Sequence, residues 1–104
     1  MAKIVYNVTV LIENDVREEW LTWMRDHHVP DVMATGCFAE SKLMKVLVDD
    51  PNAIATTYAF HYVANSMEDY QRYVDNHAEK LRKDAVDRYG AKMNAFRTLL
   101  EVVE

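Results

Sequence analysis

Apolar residues recur at every second position from Lys3 to Ile12: Ile4, Tyr6, Val8, Val10 and Ile12 share one parity, and Val5, Asn7, Thr9 and Leu11 the other. Such alternation predicts a β-strand. Its first face is wholly apolar and its second half apolar. Glu13, Asn14 and Asp15 then form a turn and offer an N-cap. Beyond them the period changes. Val16, Trp20, Trp23, Met24 and His27 recur at spacings of three and four, which predicts an amphipathic helix from Val16 to Val29. Pro30 lacks an N–H and disfavours helical angles at Val29, so the helix is predicted to end there. One further turn, Pro30 to Thr35, would be closed by Gly36 in the left-handed conformation.

The run from Cys37 to Val48 alternates imperfectly, as a bulged or twisted edge strand would. Asp49, Asp50, Pro51 and Asn52 are strong turn formers. From Ile54 to Val63 one face carries Ile54, Thr56, Tyr58, Phe60 and Tyr62, and the other Ala55, Thr57, Ala59, His61 and Val63. These two runs predict a hairpin. Ser66 opens a second helix with the box-like SMED, and the stripe Tyr70, Tyr73, Val74, His77, Leu81 and Ala85 carries it towards Gly90. Met93 to Val103 reads as a last strand. The order β-α-β-β-α-β predicts one ferredoxin-like α+β domain over residues 1–104, a four-stranded antiparallel sheet with both helices on one face.

Two helices shield one side of a sheet and leave the other open, and an open side should be polar. Here it carries Val5, Leu11, Ala55, Ala59 and Val63, with Phe96 and Leu100 on one side of the last strand and Leu99 and Val103 on the other. Each large apolar side chain buried there would contribute about 1.5–3 kcal/mol. A homodimer packing sheet against sheet is therefore expected. The simpler alternative is a hydrated face of scattered small apolar residues.

Charge narrows the partners. Seventeen acids against twelve bases leave a formal charge of −5, which argues against nucleic-acid binding, since that needs a basic face. No apolar run approaches the roughly 20 residues that span a bilayer. The opening MAKIVYNVTVLIEN reads as a strand and not as a signal peptide. Cys37 is the sole cysteine, which excludes an intrachain disulfide and fits a reducing cytoplasm.

Certain stretches also resemble a known family. IVYNVTV, EEWLTWMRDHHVPDVMATGCF, TTYAFHY, MEDYQRY and AFRTLLEVV are similar to an uncharacterised bacterial family, domain-of-unknown-function family 4286. The W-x-x-W-M…HH-x-P…TG-x-F stretch is the most specific part. The resemblance implies a branch of the dimeric α+β barrel superfamily, in which two ferredoxin-like sheets pair into a barrel. That superfamily holds cofactor-independent monooxygenases, haem-degrading enzymes, lactone isomerases and cyclases. The family has no established activity, so fold is implied more firmly than function.

The chemistry on offer is histidine among aromatics. His27 and His28 are adjacent, so on a helix they diverge by about 100° and do not chelate one ion. With a single cysteine no zinc framework is visible either, and no metal site is expected. Cys37 reads as an inert thiol. Haem-degrading relatives use an asparagine on the first strand with a tryptophan and a histidine on the second helix. Asn7 and His77 match two of those roles, but the second helix has no tryptophan, and no cofactor is expected. The candidate ligand cavity is assigned to Asn7, Trp20, Trp23, His27, Tyr58, His61, Tyr73 and His77, with His27 at the centre of the Trp20–Trp23 arc. Tryptophan and tyrosine suit a flat organic ligand because an apolar body carries a polar tip.

Three readings remain. One is a small-ligand-binding domain. Another is a cofactor-independent oxygenase or isomerase using His27, His61 or His77 as base. The third is a structural or interaction module in which these side chains merely pack. An enclosed cavity of roughly 300 Å³ or more with a histidine at its edge favours the first two, whereas a fully packed helix–sheet interface leaves only the third.

Overall fold

The computed structural model describes residues 2–48 and 50–103. Asp49, predicted within the hairpin turn, lies outside them. The elements are β1 (Ile4–Glu13), a 3-10 turn (Asn14–Val16), α1 (Arg17–Trp23), a π turn (Met24–His28), α2 (Val29–Ala34), β2 (Glu40–Lys45), β3 (Ala55–Ala64), α3 (Met67–Asn76), α4 (Ala78–Tyr89), a second 3-10 turn (Gly90–Lys92) and β4 (Met93–Glu101). The strands form one antiparallel sheet in the order β2-β3-β1-β4, the ferredoxin-like arrangement expected from the sequence.

The alternation along β1 sets which side chains meet the helices. Ile4, Tyr6, Val10 and Ile12 are buried, as are Tyr58, Phe60, Tyr62 and Ala64 of the neighbouring β3. Against them pack Trp20 and Met24, then Val32, and from the second helical layer Tyr73, Ala78, Leu81, Ala85 and Tyr89. The opposite parity faces away. Val5 lies beside Val63 and Leu100, Thr9 beside Ala59 and Phe96, and Leu11 beside Thr57 and Asn94. On that uncovered face Phe96 is 63% exposed, Leu100 43% and Leu11 42%.

Local departures from the predicted elements have physical causes. The first helix does not stop at Val29. Val29 donates its N–H to Met24 O, five residues back, and this wider turn absorbs one extra residue just before Pro30. A proline ring clashes with the carbonyl four residues back in a regular helix; the π turn rearranges the backbone at that point, and the chain stays helical to Ala34. The expected N-cap is absent. Asn14 ties the end of β1 to the start of β3, accepting from Thr56 Oγ1 at 2.6 Å and donating to Ala53 O at 3.1 Å. The second helix breaks at His77 (φ −133°) into α3 and α4. β2 is shorter than predicted, since Cys37 and Phe38 precede it as buried core residues.

Two sequence signals at helix ends hold. Ser66 Oγ accepts from Asp69 N at 3.2 Å, and Gly36 adopts φ +75°. A Cβ at Gly36 would touch nothing within 4 Å, so only backbone strain opposes a side chain there. Gly36→Ala should therefore destabilise by about 1–2 kcal/mol, read as a lower urea midpoint with an unchanged slope. An unchanged midpoint would contradict this assignment.

Candidate functional site

The helices and the sheet do not close completely. Between them runs a cleft bordered on the sheet by Tyr6, Val8, Val10, Phe60, Tyr62, Met93, Ala95 and Arg97, and on the helices by Trp20, Met24, His28, Val32, Tyr73, Arg82 and Ala85. Rings of this size pack edge against face and not flush. Trp20 stands 5.8 Å from Phe60, nearly perpendicular to it, and Tyr6 stands 5.7 Å from Tyr73 at a 51° tilt. Opposite them the small Ala85 and Ala95 leave the slot unfilled. Its volume is about 40 Å³, well below the 300 Å³ expected of a preformed site. At ~10–15 Å³ per water centre this is room for a few waters.

The polar end of the cleft is unusual for an acidic protein. Arg82 Nη2 donates to Tyr6 Oη at 3.0 Å, and Arg97 Nε donates to the same oxygen at 3.1 Å. Tyr6 itself is only 3% exposed. Arg82 reaches the cleft from α4, where position 82 shares a stripe with Ala78, Ala85 and Tyr89. Arg97 reaches it because its parity on β4 matches Met93 and Ala95, opposite Val8. Burial pushes the Tyr62 and Tyr73 phenols well above their ordinary pKa, with neighbouring tyrosines adding to the effect, so both stay protonated donors. The Trp20 indole N–H is buried with no partner, as is Arg82 Nε.

His28 is the histidine of this cleft. Burial lowers its pKa, Asp31 and Asp84 partly oppose that, and Arg97 adds to it. The imidazole is thus held neutral at neutral pH.

The structure disperses the residues assigned from sequence. Trp20 and Tyr73 line the cleft. Tyr58 packs behind Trp20 at 5.3 Å and does not border it. Asn7 and His61 are cross-strand neighbours on the uncovered sheet face, so Asn7 does not converge with His77, which sits at the helix break. Trp23 and His27 border an open groove of about 410 Å³ with Asp31, Asp84, Asp87 and Arg88, where the Arg88 guanidinium lies 5.1 Å over the Trp23 ring. His27 is exposed, and the reason is the π turn. One inserted residue rotates the helix beyond it, so the inward stripe runs Trp20, Met24, His28, Val32. Sequence reasoning misses Tyr6, His28, Arg82 and Arg97. The signals for them are three successive steps of four before and after a proline, and arginines at inward-facing positions.

Among the described residues no group of three or more metal-binding side chains forms, and no helix is long and apolar enough to cross a membrane.

Comparison with known proteins fixes the class first. The chain shares its ferredoxin-like α+β fold with an EthD-like protein from Ralstonia eutropha (TM-score 0.71, 17% identity, 100% of this chain and 95% of that one). It is also similar to a dimeric ferredoxin-like protein from an uncultured marine organism (TM-score 0.70, 11% identity, 100% and 98%). SnoaB, a cofactor-independent oxygenase from Streptomyces nogalater, is a third (TM-score 0.67, 10% identity, 97% and 94%). At these identities the likeness is one of fold. No curated protein matches the sequence. Residues 3–103 match the family Domain of unknown function (DUF4286), and the chain belongs to that family.

A neutral His28 makes stability depend on pH. Its folded pKa lies below the unfolded 6.5, so the unfolded chain binds the extra proton in between. The stabilisation is complete above pH 6.5 and is lost as pH falls through the folded value. His28→Asn should flatten this acid-side slope in denaturation curves from pH 7 to 5, and the His28 ring signals should titrate below 6.5 by NMR. Titration above 6.5 would contradict the burial argument.

Proposed function

We propose that this chain is a homodimeric small-ligand-binding protein of the cytoplasm whose site is the cleft between helices and sheet. The observation that carries the reading is the cleft's make-up: aromatic walls, small alanines opposite them, and unpartnered polar groups at its edge. Interiors normally satisfy such donors, and a ligand that enters by widening the slot would do so. Met24 and Met93 in the walls are the adaptable side chains that let the slot widen around it. The apolar residues of the other sheet face support pairing of two copies, as does the dimeric protein sharing this fold. The lone, buried Cys37 suits a reducing compartment.

A second reading, a cofactor-independent oxygenase or isomerase, is favoured by one observation. His28 borders the cleft as a neutral imidazole, the form that accepts a proton from an enolisable substrate. The bases considered from sequence, His27, His61 and His77, do not border the cleft.

Tryptophan emission separates the sites. Trp20 lines the cleft and Trp23 stands outside it. A screen of small planar metabolites should find compounds that quench wild-type emission, with the quench retained in Trp23→Phe and lost in Trp20→Phe. No responding compound, or a response that follows Trp23, would remove the cleft as the binding site.

A further inference from the structure

We infer that the cleft takes a small aromatic carboxylate, its ring in the aromatic slot and its carboxylate against Arg82, Arg97 and the Tyr6 hydroxyl; this deepens the ligand-binding reading above and rests on it. What carries the inference is an imbalance of donors over acceptors. Both guanidinium groups donate to Tyr6 Oη, which occupies the two acceptor positions of that oxygen. Its own O–H then finds no acceptor among the described residues, and Arg82 Nε is buried without one. The other unsatisfied polar group in the cleft walls, the Trp20 indole N–H, is again a donor.

The charges point the same way. Among the described residues neither Arg82 nor Arg97 forms an ion pair; several other basic residues are also unpaired, but these two converge on one phenol oxygen. Acids are not scarce in a chain of net charge −5. Glu101, on the same side of β4, lies four residues along the strand, roughly 13 Å from Arg97. Two cations converging on one neutral phenol repel each other, and an anion between them relieves that repulsion. Guanidinium groups match a carboxylate with paired N–H bonds. The body of the ligand is set by the walls. Trp20, Phe60, Tyr62 and Tyr73 offer ring faces and edges that favour an aromatic body, and the slot of about 40 Å³ must widen at Met24 and Met93 to admit it.

Benzoate and its neutral isostere benzamide are suitable probes, titrated calorimetrically in low-chloride buffer into wild-type protein, Arg82→Gln and Arg97→Gln. Benzoate should bind about tenfold more tightly than benzamide, and each substitution should cut benzoate affinity about tenfold while leaving benzamide unchanged. In wild-type protein the Arg82 and Arg97 Nε–H resonances should shift with benzoate and not with benzamide, which keeps the test independent of any folding defect in the variants. Equal affinity for the two probes would overturn the carboxylate assignment and leave the cleft as a binding site. So would benzoate binding that ignores both arginines. Failure of both probes to bind at millimolar concentration would overturn the assignment and the ligand-binding reading together.

Discussion

A central strand that is wholly apolar on one side and half apolar on the other constrains the whole molecule. β1 pairs along nearly its full length with β3 on one side and β4 on the other, so its two faces set the character of the sheet's two faces. One carries Ile4, Tyr6, Val8, Val10 and Ile12 and must be covered. The βαββαβ order supplies that cover from within the chain, because both crossovers fall on the same side. The other face carries Val5 and Leu11, flanked by Val63, Phe96 and Leu100, and the described elements leave nothing with which to cover it. The proposed pairing with a second copy presenting the same surface would cover it.

The site depends on how the covered face is filled. Aliphatic side chains interdigitate and leave few voids. This interface is built largely from Tyr6, Trp20, Phe60, Tyr62 and Tyr73, whose rings meet at tilts of 32° to 87° and leave a slot. Tyr6 links core and chemistry. Its ring packs between Phe38, Tyr62, Tyr70 and Tyr73, while its hydroxyl holds Arg82 and Arg97 at the cleft edge. The aromatic core thereby positions two charges that lie 15 residues apart in sequence.

The fold is readable in the sequence because period two and period three-to-four are strong signals over long runs. β1, β3 and β4 fall where the alternation puts them, and Ser66 and Gly36 mark their helix ends as expected. The site is less readable. A straight helix favours His27 over His28, whereas Trp20, Met24, His28 and Val32 drift around a straight helix and align only with the π turn. Asn7 and His61 do share the second sheet face, as their parity predicts, but that face points away from the helices. Arg82 and Arg97 escape notice because arginine normally marks a solvated position; Arg82 is half-buried and Arg97 exposed, and only their alignment with Ala85 and Ala95 places them at the cleft edge.

Pairing of two copies through the uncovered sheet face is tested most directly by sedimentation equilibrium on the wild-type chain at micromolar concentration. The expected mass is twice the 12.1 kDa protomer, converted to protomer by Phe96→Asp. A stable 12.1 kDa species throughout that range would contradict it.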